Sequence, residues 1–138
     1  MKFFRRAIPA LVFALAACTS EKPEGGESES SPKQAAASGD TIIVEMHSDA
    51  IGNYYKPAEI EAEQGDVVRF VLKSGVHNVN FFPDSNTIKT GLPAPSDMLQ
   101  LPDQTYDLVV SMQEGDYYFH GDPHAALGMK GKLEVEDD

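Results

Sequence analysis

From Thr41 onward the chain repeats short runs in which apolar and polar residues alternate, each closed by turn residues. Val68, Phe70 and Leu72 share one parity and Arg69 takes the other. Tyr106, Leu108 and Val110 share a parity, as do Leu133 and Val135, with Lys132 and Glu134 opposite. Successive side chains of a strand point to opposite faces, so this period belongs to strands half-buried against a core. No amphipathic helical repeat accompanies it. The runs predict strands at Thr41–Met46, Glu59–Ala62, Asp66–Leu72, His77–Phe81, Thr105–Ser111, Gly115–His120 and Lys130–Glu136. Gln64-Gly65-Asp66, Lys73-Ser74-Gly75 and Gln113-Glu114-Gly115-Asp116 carry turn chemistry. Pro83 to Pro102 is Pro-rich and irregular, with a helical turn expected near Ser96–Leu99. The expected architecture of residues 41–138 is an all-β sandwich or barrel.

The residues before that domain read differently. Lys2, Arg5 and Arg6 form a positive head, and Ala7 to Ala17 is an apolar run of 11, too short to span a bilayer. Small residues then precede Cys18. This is the three-part pattern of an export signal over residues 1–17. Leu15-Ala16-Ala17-Cys18 resembles the lipobox of bacterial lipoproteins, which implies a lipidated Cys18 as the mature first residue and a membrane partner reached through that anchor. An extracytoplasmic or periplasmic location follows. Thr19, rather than Asp, mildly favours the outer membrane of a two-membrane bacterium. Residues 18–40 are rich in Ser, Glu, Gly and Pro and carry almost no core-forming residue, the composition of a disordered acidic tether.

Charge narrows the function classes. There are 22 Asp+Glu against 11 Lys+Arg, a formal net of −11, and three of those bases lie in the first six residues. A chain this acidic is repelled by phosphate backbones, so no nucleic-acid partner is expected. The acidic side chains (Glu59, Glu61, Glu63, Asp66, Asp103, Asp107, Glu114 and Asp116 among them) make a solvated face, or one that steers a basic partner. A single Cys excludes an internal disulfide and a Cys-based zinc cluster. No nucleophile arrangement and no Gly-rich phosphate loop is present, so an enzyme is not expected.

Three residues stand out. His77 follows Ser74-Gly75-Val76, and His124 and Met129 lie in the loop from Gly121 to Met129 after a β-rich run. Imidazole with thioether is a soft donor set that suits copper, Cu(I) in particular, better than Mg²⁺ or Ca²⁺. By spacing alone a solvated loop His and a core-filling Met compete with that reading. Met46, Met98 and Met112 are scattered and form no copper-trapping tract.

Residues 57–81, PAEIEAEQGDVVRFVLKSGVHNVNF, and 115–135, GDYYFHGDPHAALGMKGKLEV, change the weighting. Together they resemble the cupredoxins, in particular the plastocyanin and pseudoazurin group. The resemblance implies a Greek-key β-sandwich that binds one copper at one end through two His, one Cys and a weak axial Met. The first His falls on His77, the second on His124 and the Met on Met129. Asn78, after the first His, is implied to tether the ligand loop through hydrogen bonds. The family Cys sits three residues before the second His, and Gly121 stands there. The remaining donors are neutral, so no intense blue-copper colour is expected. Cu(II) would want an added oxygen ligand, for which Asp122 is a candidate. His120 is a further candidate, but strand parity turns Tyr117, Phe119 and position 121 inward and Tyr118 and His120 outward. His47, near the first strand, is a weaker one.

The function expected first is copper carriage or storage outside the cytoplasm, with one copper, Cu(I) or Cu(II), and a basic redox or copper-accepting protein as partner. Electron transfer, as in plastocyanin or pseudoazurin, is the alternative. A metal-free interaction module with a vestigial site, and an enzyme or small-molecule sensor using the vacated ligand position, stand behind it.

Overall fold

The computed structural model describes Ala37 and residues 39–137. The signal at 1–17, Cys18 and nearly all of the 18–40 tether lie outside the described residues. The domain is a sandwich of two mixed sheets. One is built from β1 (Thr41–Ser48), β2 (Asn53–Lys56), β4 (Val67–Leu72) and β5 (Thr105–Val109), in the order β2-β1-β4-β5. The other is β3 (Glu59–Glu63), β7 (Lys130–Glu136) and β6 (Gly115–His120), in the order β3-β7-β6. β1 and β4 run parallel, as do β3 and β7; the other pairs are antiparallel. The expectation of an all-β Greek-key sandwich holds.

Alternation selects the core as the sequence predicts. Val68, Phe70 and Leu72 are buried while Arg69 is exposed and pairs with Asp107 across β4 and β5. Leu133 and Val135 are buried from β7, and Tyr117 and Phe119 from β6, with Tyr118 turned out. The centre is aromatic. Phe119 packs edge-on against Tyr55 at 4.8 Å and Phe70 at 5.5 Å, and tilted against Phe81 at 5.2 Å. Such offset and edge arrangements match the ring quadrupoles and add to the gain from burial.

Several boundaries differ from the sequence reading. β2 is an additional strand of four residues, too short for its alternation to register. His77–Phe81 is not a strand: it makes only single bridges, His77 to Leu99 and Asn80 to His120. Its residues His77, Asn78 and Val79 are consecutively buried, so the alternation that marks a half-buried strand is lost there. Ser96–Leu99 is extended rather than helical, because it pairs with that segment. The short 3-10 turns fall at Pro83–Ser85 and Asp122–Leu127. At the outer edge of β6, buried Asn86 accepts from the Tyr118 N–H at 2.7 Å and donates to the Tyr118 carbonyl at 2.9 Å.

The topology gathers three connections. The β1–β2 turn, the segment after β4 and the β6–β7 loop are joined by the Ser48–His77 and Asn80–His120 contacts. The sequence-derived candidates lie on or beside these connections.

Candidate metal centre

His77 reaches its place through the turn that ends β4. Gly75 adopts φ 86°, a left-handed conformation that favours glycine, and the chain then enters the interior. The His77 side chain is fully buried, its backbone paired with Leu99 at 3.2 and 2.8 Å. Burial pushes its pKa down and the neighbouring His124 adds to this, against the raising effect of the Ser74 and His47 backbone. The ring is therefore held neutral, the state in which an imidazole can ligate. Its Nε2 meets Ser48 Oγ at 3.0 Å, while its buried Nδ1 has no hydrogen-bond partner.

His124 and Met129 come from one loop. After Gly121 the chain winds through Asp122–Leu127, and Gly128 ends the turn at φ 90°. Backbone bonds tie the loop to itself: His124 N–H to the Gly121 carbonyl at 3.0 Å, Met129 N–H to the His124 carbonyl at 3.2 Å, and Gly121 N–H to the Met129 carbonyl at 3.2 Å. The His124 ring lies 5.0 Å from that of His77, centroid to centroid, at 63°. Its Nδ1 is also buried and without a partner. Met129 is fully buried, near His77.

Two neighbouring rings thus each present a buried, unbonded Nδ1. A buried polar atom left unpaired costs roughly 1–3 kcal/mol, and in a native structure it calls for an explanation. Among the described residues no three His, Cys, Asp or Glu side chains gather into a metal-holding group. Two imidazoles beside a thioether therefore make a short, neutral and soft donor set, and it fits copper.

The remaining candidates fall around this pair. Gly121 is buried, and a Cβ built on it would lie 2.8 Å from Met129 Sδ, 3.3 Å from Tyr55 Oη and 3.5 Å from the Asn78 carbonyl oxygen. Asp122 has both carboxylate oxygens engaged, Oδ2 by Asn78 at 2.7 Å and Oδ1 by Asn80 at 2.9 Å and His120 at 2.8 Å. Its own N–H donates to Asn78 Oδ1 at 2.7 Å. Burial raises the Asp122 pKa, but the bonds from Asn78, Asn80 and His120 outweigh it and hold the carboxyl below its ordinary value. His120 is half-buried, bonded to Asp122, and lies 5.7 Å from the exposed Phe82 ring. His47 bonds Glu45 at 3.0 Å and stacks on Tyr54 at 5.1 Å. Buried Asn78 also has its carbonyl capped by Tyr55 Oη at 2.7 Å, and burial, with the Asp122 charge adding, pushes the phenol upward so that it stays a donor.

The sequence reading missed Ser48, Asn53, Tyr55 and Asn80. Each acts through a partner at least 23 residues away or across the unpredicted β2, so no local pattern marks it.

Comparison with known proteins identifies the family. The family described as copper binding proteins, plastocyanin/azurin family, matches residues 32–136. A plastocyanin of Prochlorothrix hollandica is 32% identical over 106 residues, covering 74% of this chain and 78% of that protein. A plastocyanin of a Synechococcus species is 32% identical over 103 residues, covering 72% and 76%. The solved structure of oxidized plastocyanin from Dryopteris crassirhizoma superposes with a TM-score of 0.56 at 27% identity, covering 69% of this chain and all of that one. The chain belongs to the plastocyanin/azurin family of copper-binding proteins, the cupredoxins.

Proposed function

We propose that the domain binds one copper ion through Nδ1 of His77, Nδ1 of His124 and Sδ of Met129, without a thiolate, and carries or stores copper on the extracytoplasmic side. The observation that carries this reading is the pair of adjacent rings whose buried Nδ1 atoms have no hydrogen-bond partner. Bound copper would supply a soft Lewis acid able to cycle between Cu(I) and Cu(II). The chain's part is to hold three donors without an anion. Neutral imidazole and thioether favour Cu(I). Asp122, the nearest acid in the loop, is spent on fastening it to Asn78 and Asn80. In this reading Cys18 carries the lipid anchor, residues 18–40 form the tether, and the receiving partner is a basic protein attracted by the acidic surface.

The test is metal stoichiometry of the purified protein. One copper per chain is expected, with no intense absorption in the blue-copper region. His77→Ala combined with His124→Ala should abolish binding; unchanged stoichiometry overturns the assignment.

Electron transfer is the second reading, favoured by the family match over residues 32–136. It requires a reversible Cu(II)/Cu(I) couple and fast exchange with a cytochrome. A site locked in one oxidation state eliminates it. A metal-free module fits less well, because it would leave two buried ring nitrogens uncompensated.

A further inference from the structure

We infer that Ser48, backed by Asn53, is a positioning residue that fixes which nitrogen of His77 carries the proton and so leaves Nδ1 free as a donor; the role rests on the copper-binding reading above. Ser48 ends β1 and Asn53 opens β2, and the two are directly paired across the intervening turn. Ser48 Oγ donates its hydrogen to Asn53 Oδ1 at 2.5 Å. A hydroxyl has only one hydrogen to give. Toward His77 Nε2, 3.0 Å away, the same oxygen can therefore only accept, so Nε2 holds the ring hydrogen. A neutral imidazole protonated at Nε2 has its lone pair at Nδ1. That atom is the one left buried and unpartnered.

The surroundings hold Ser48 in this position. Its N–H donates to Ser74 Oγ at 2.8 Å, and the Ser74 hydroxyl donates to the Ser48 carbonyl at 2.8 Å. The β1 end is thereby fastened to the turn that delivers His77. Gly75 lies between them. A Cβ there would collide with Ser48 Oγ and lie 2.8 Å from His77 Nε2. Position 75 thus needs glycine twice, for its φ of 86° and for the room through which hydroxyl and ring meet. A histidine that ligates through one nitrogen usually has the other bonded, and losing that partner costs about 10–100-fold in metal affinity. Here the partner is a side-chain hydroxyl whose direction is set by an amide on the next strand.

The experiment uses full-length metal-free protein labelled with ¹⁵N-histidine, together with Cu(I) competition against a chromophoric chelator. The wild type should show the Nε2–H form of His77. Ser48→Ala should lose that single-form signature and about 10–100-fold in Cu(I) affinity. Ser48→Thr, which keeps the hydroxyl, should restore both. Asn53→Asp, whose carboxylate can only accept, should keep both. The inference is overturned if Ser48→Ala leaves signature and affinity unchanged, or if Asn53→Asp moves the hydrogen to Nδ1, which would mean that the hydroxyl donates to the ring. The two readings fail separately. His77→Ala that still binds one copper removes the copper assignment, whereas a wild-type His77 protonated at Nδ1 removes the role of Ser48 with stoichiometry intact.

Discussion

Gly121→Cys returns a thiol to the one position where the family pattern is broken, and the structure sets what that costs. The new Cβ would stand 2.8 Å from Met129 Sδ, about 0.6 Å inside the 3.4 Å at which ordinary contact begins. The other neighbours, Tyr55 Oη at 3.3 Å and the Asn78 carbonyl oxygen at 3.5 Å, need almost no movement. Overpacking a core costs about 1–3 kcal/mol. The obstacle here is the end of a flexible thioether, so the low end applies, about 1 kcal/mol, or roughly 4–8 °C in Tm for a domain of this size. Thermal unfolding of the metal-free variant measures that loss. Copper should then reverse the outcome. Two imidazoles, a thiolate and a weak axial thioether are the donors of a blue-copper site, so the Cu(II)-loaded variant should absorb intensely where the wild type does not. A folded variant that binds Cu(II) and stays colourless would refute the proposal that position 121, beside Met129 Sδ, shares one metal site with His77 and His124. A metal-free loss well above 3 kcal/mol would refute the claim that Met129 can yield.

Two further outcomes follow from the packing. Asp122→Ala removes the acceptor shared by Asn78, Asn80 and His120 and leaves buried Asn78 short of a partner, so denaturant unfolding should register a loss of about 1–3 kcal/mol. Because the folded Asp122 pKa lies below its ordinary 3.8, the stabilisation from its charged form is present above that value and fades as pH falls through the folded one; the gap between wild type and variant should narrow in acid. Phe119→Ala empties the ring at the centre of the Tyr55–Phe70–Phe81 cluster and should cost about 3–5 kcal/mol in the same assay.

The sandwich was legible wherever one face of a strand meets the core and the other meets water, as along Val68-Arg69-Phe70 and Leu133-Glu134-Val135. It was not legible at His77–Val79, buried throughout and so without alternation, or in the four residues of β2. The ligand candidates were readable through the resemblance carried by residues 57–81 and 115–135; their spacing alone left a solvated loop His and a core-filling Met as rivals. Of what holds them, only Asn78 was marked, and its partner was not. Asp122 meets Asn78 and Asn80 across 44 and 42 residues, and Ser48 meets His77 across 29. Such pairings are fixed by strand register and loop geometry, which a single sequence does not spell out.

Asn86 gives the outer margin of β6 a substitute for a neighbouring strand. Its amide copies the donor and acceptor that another backbone would offer Tyr118, and it does so from within the same molecule. A second copy approaching that rim finds those two groups already satisfied and has less to zip onto. Resistance to stacking side by side is thus invested in one amide that no candidate metal ligand shares.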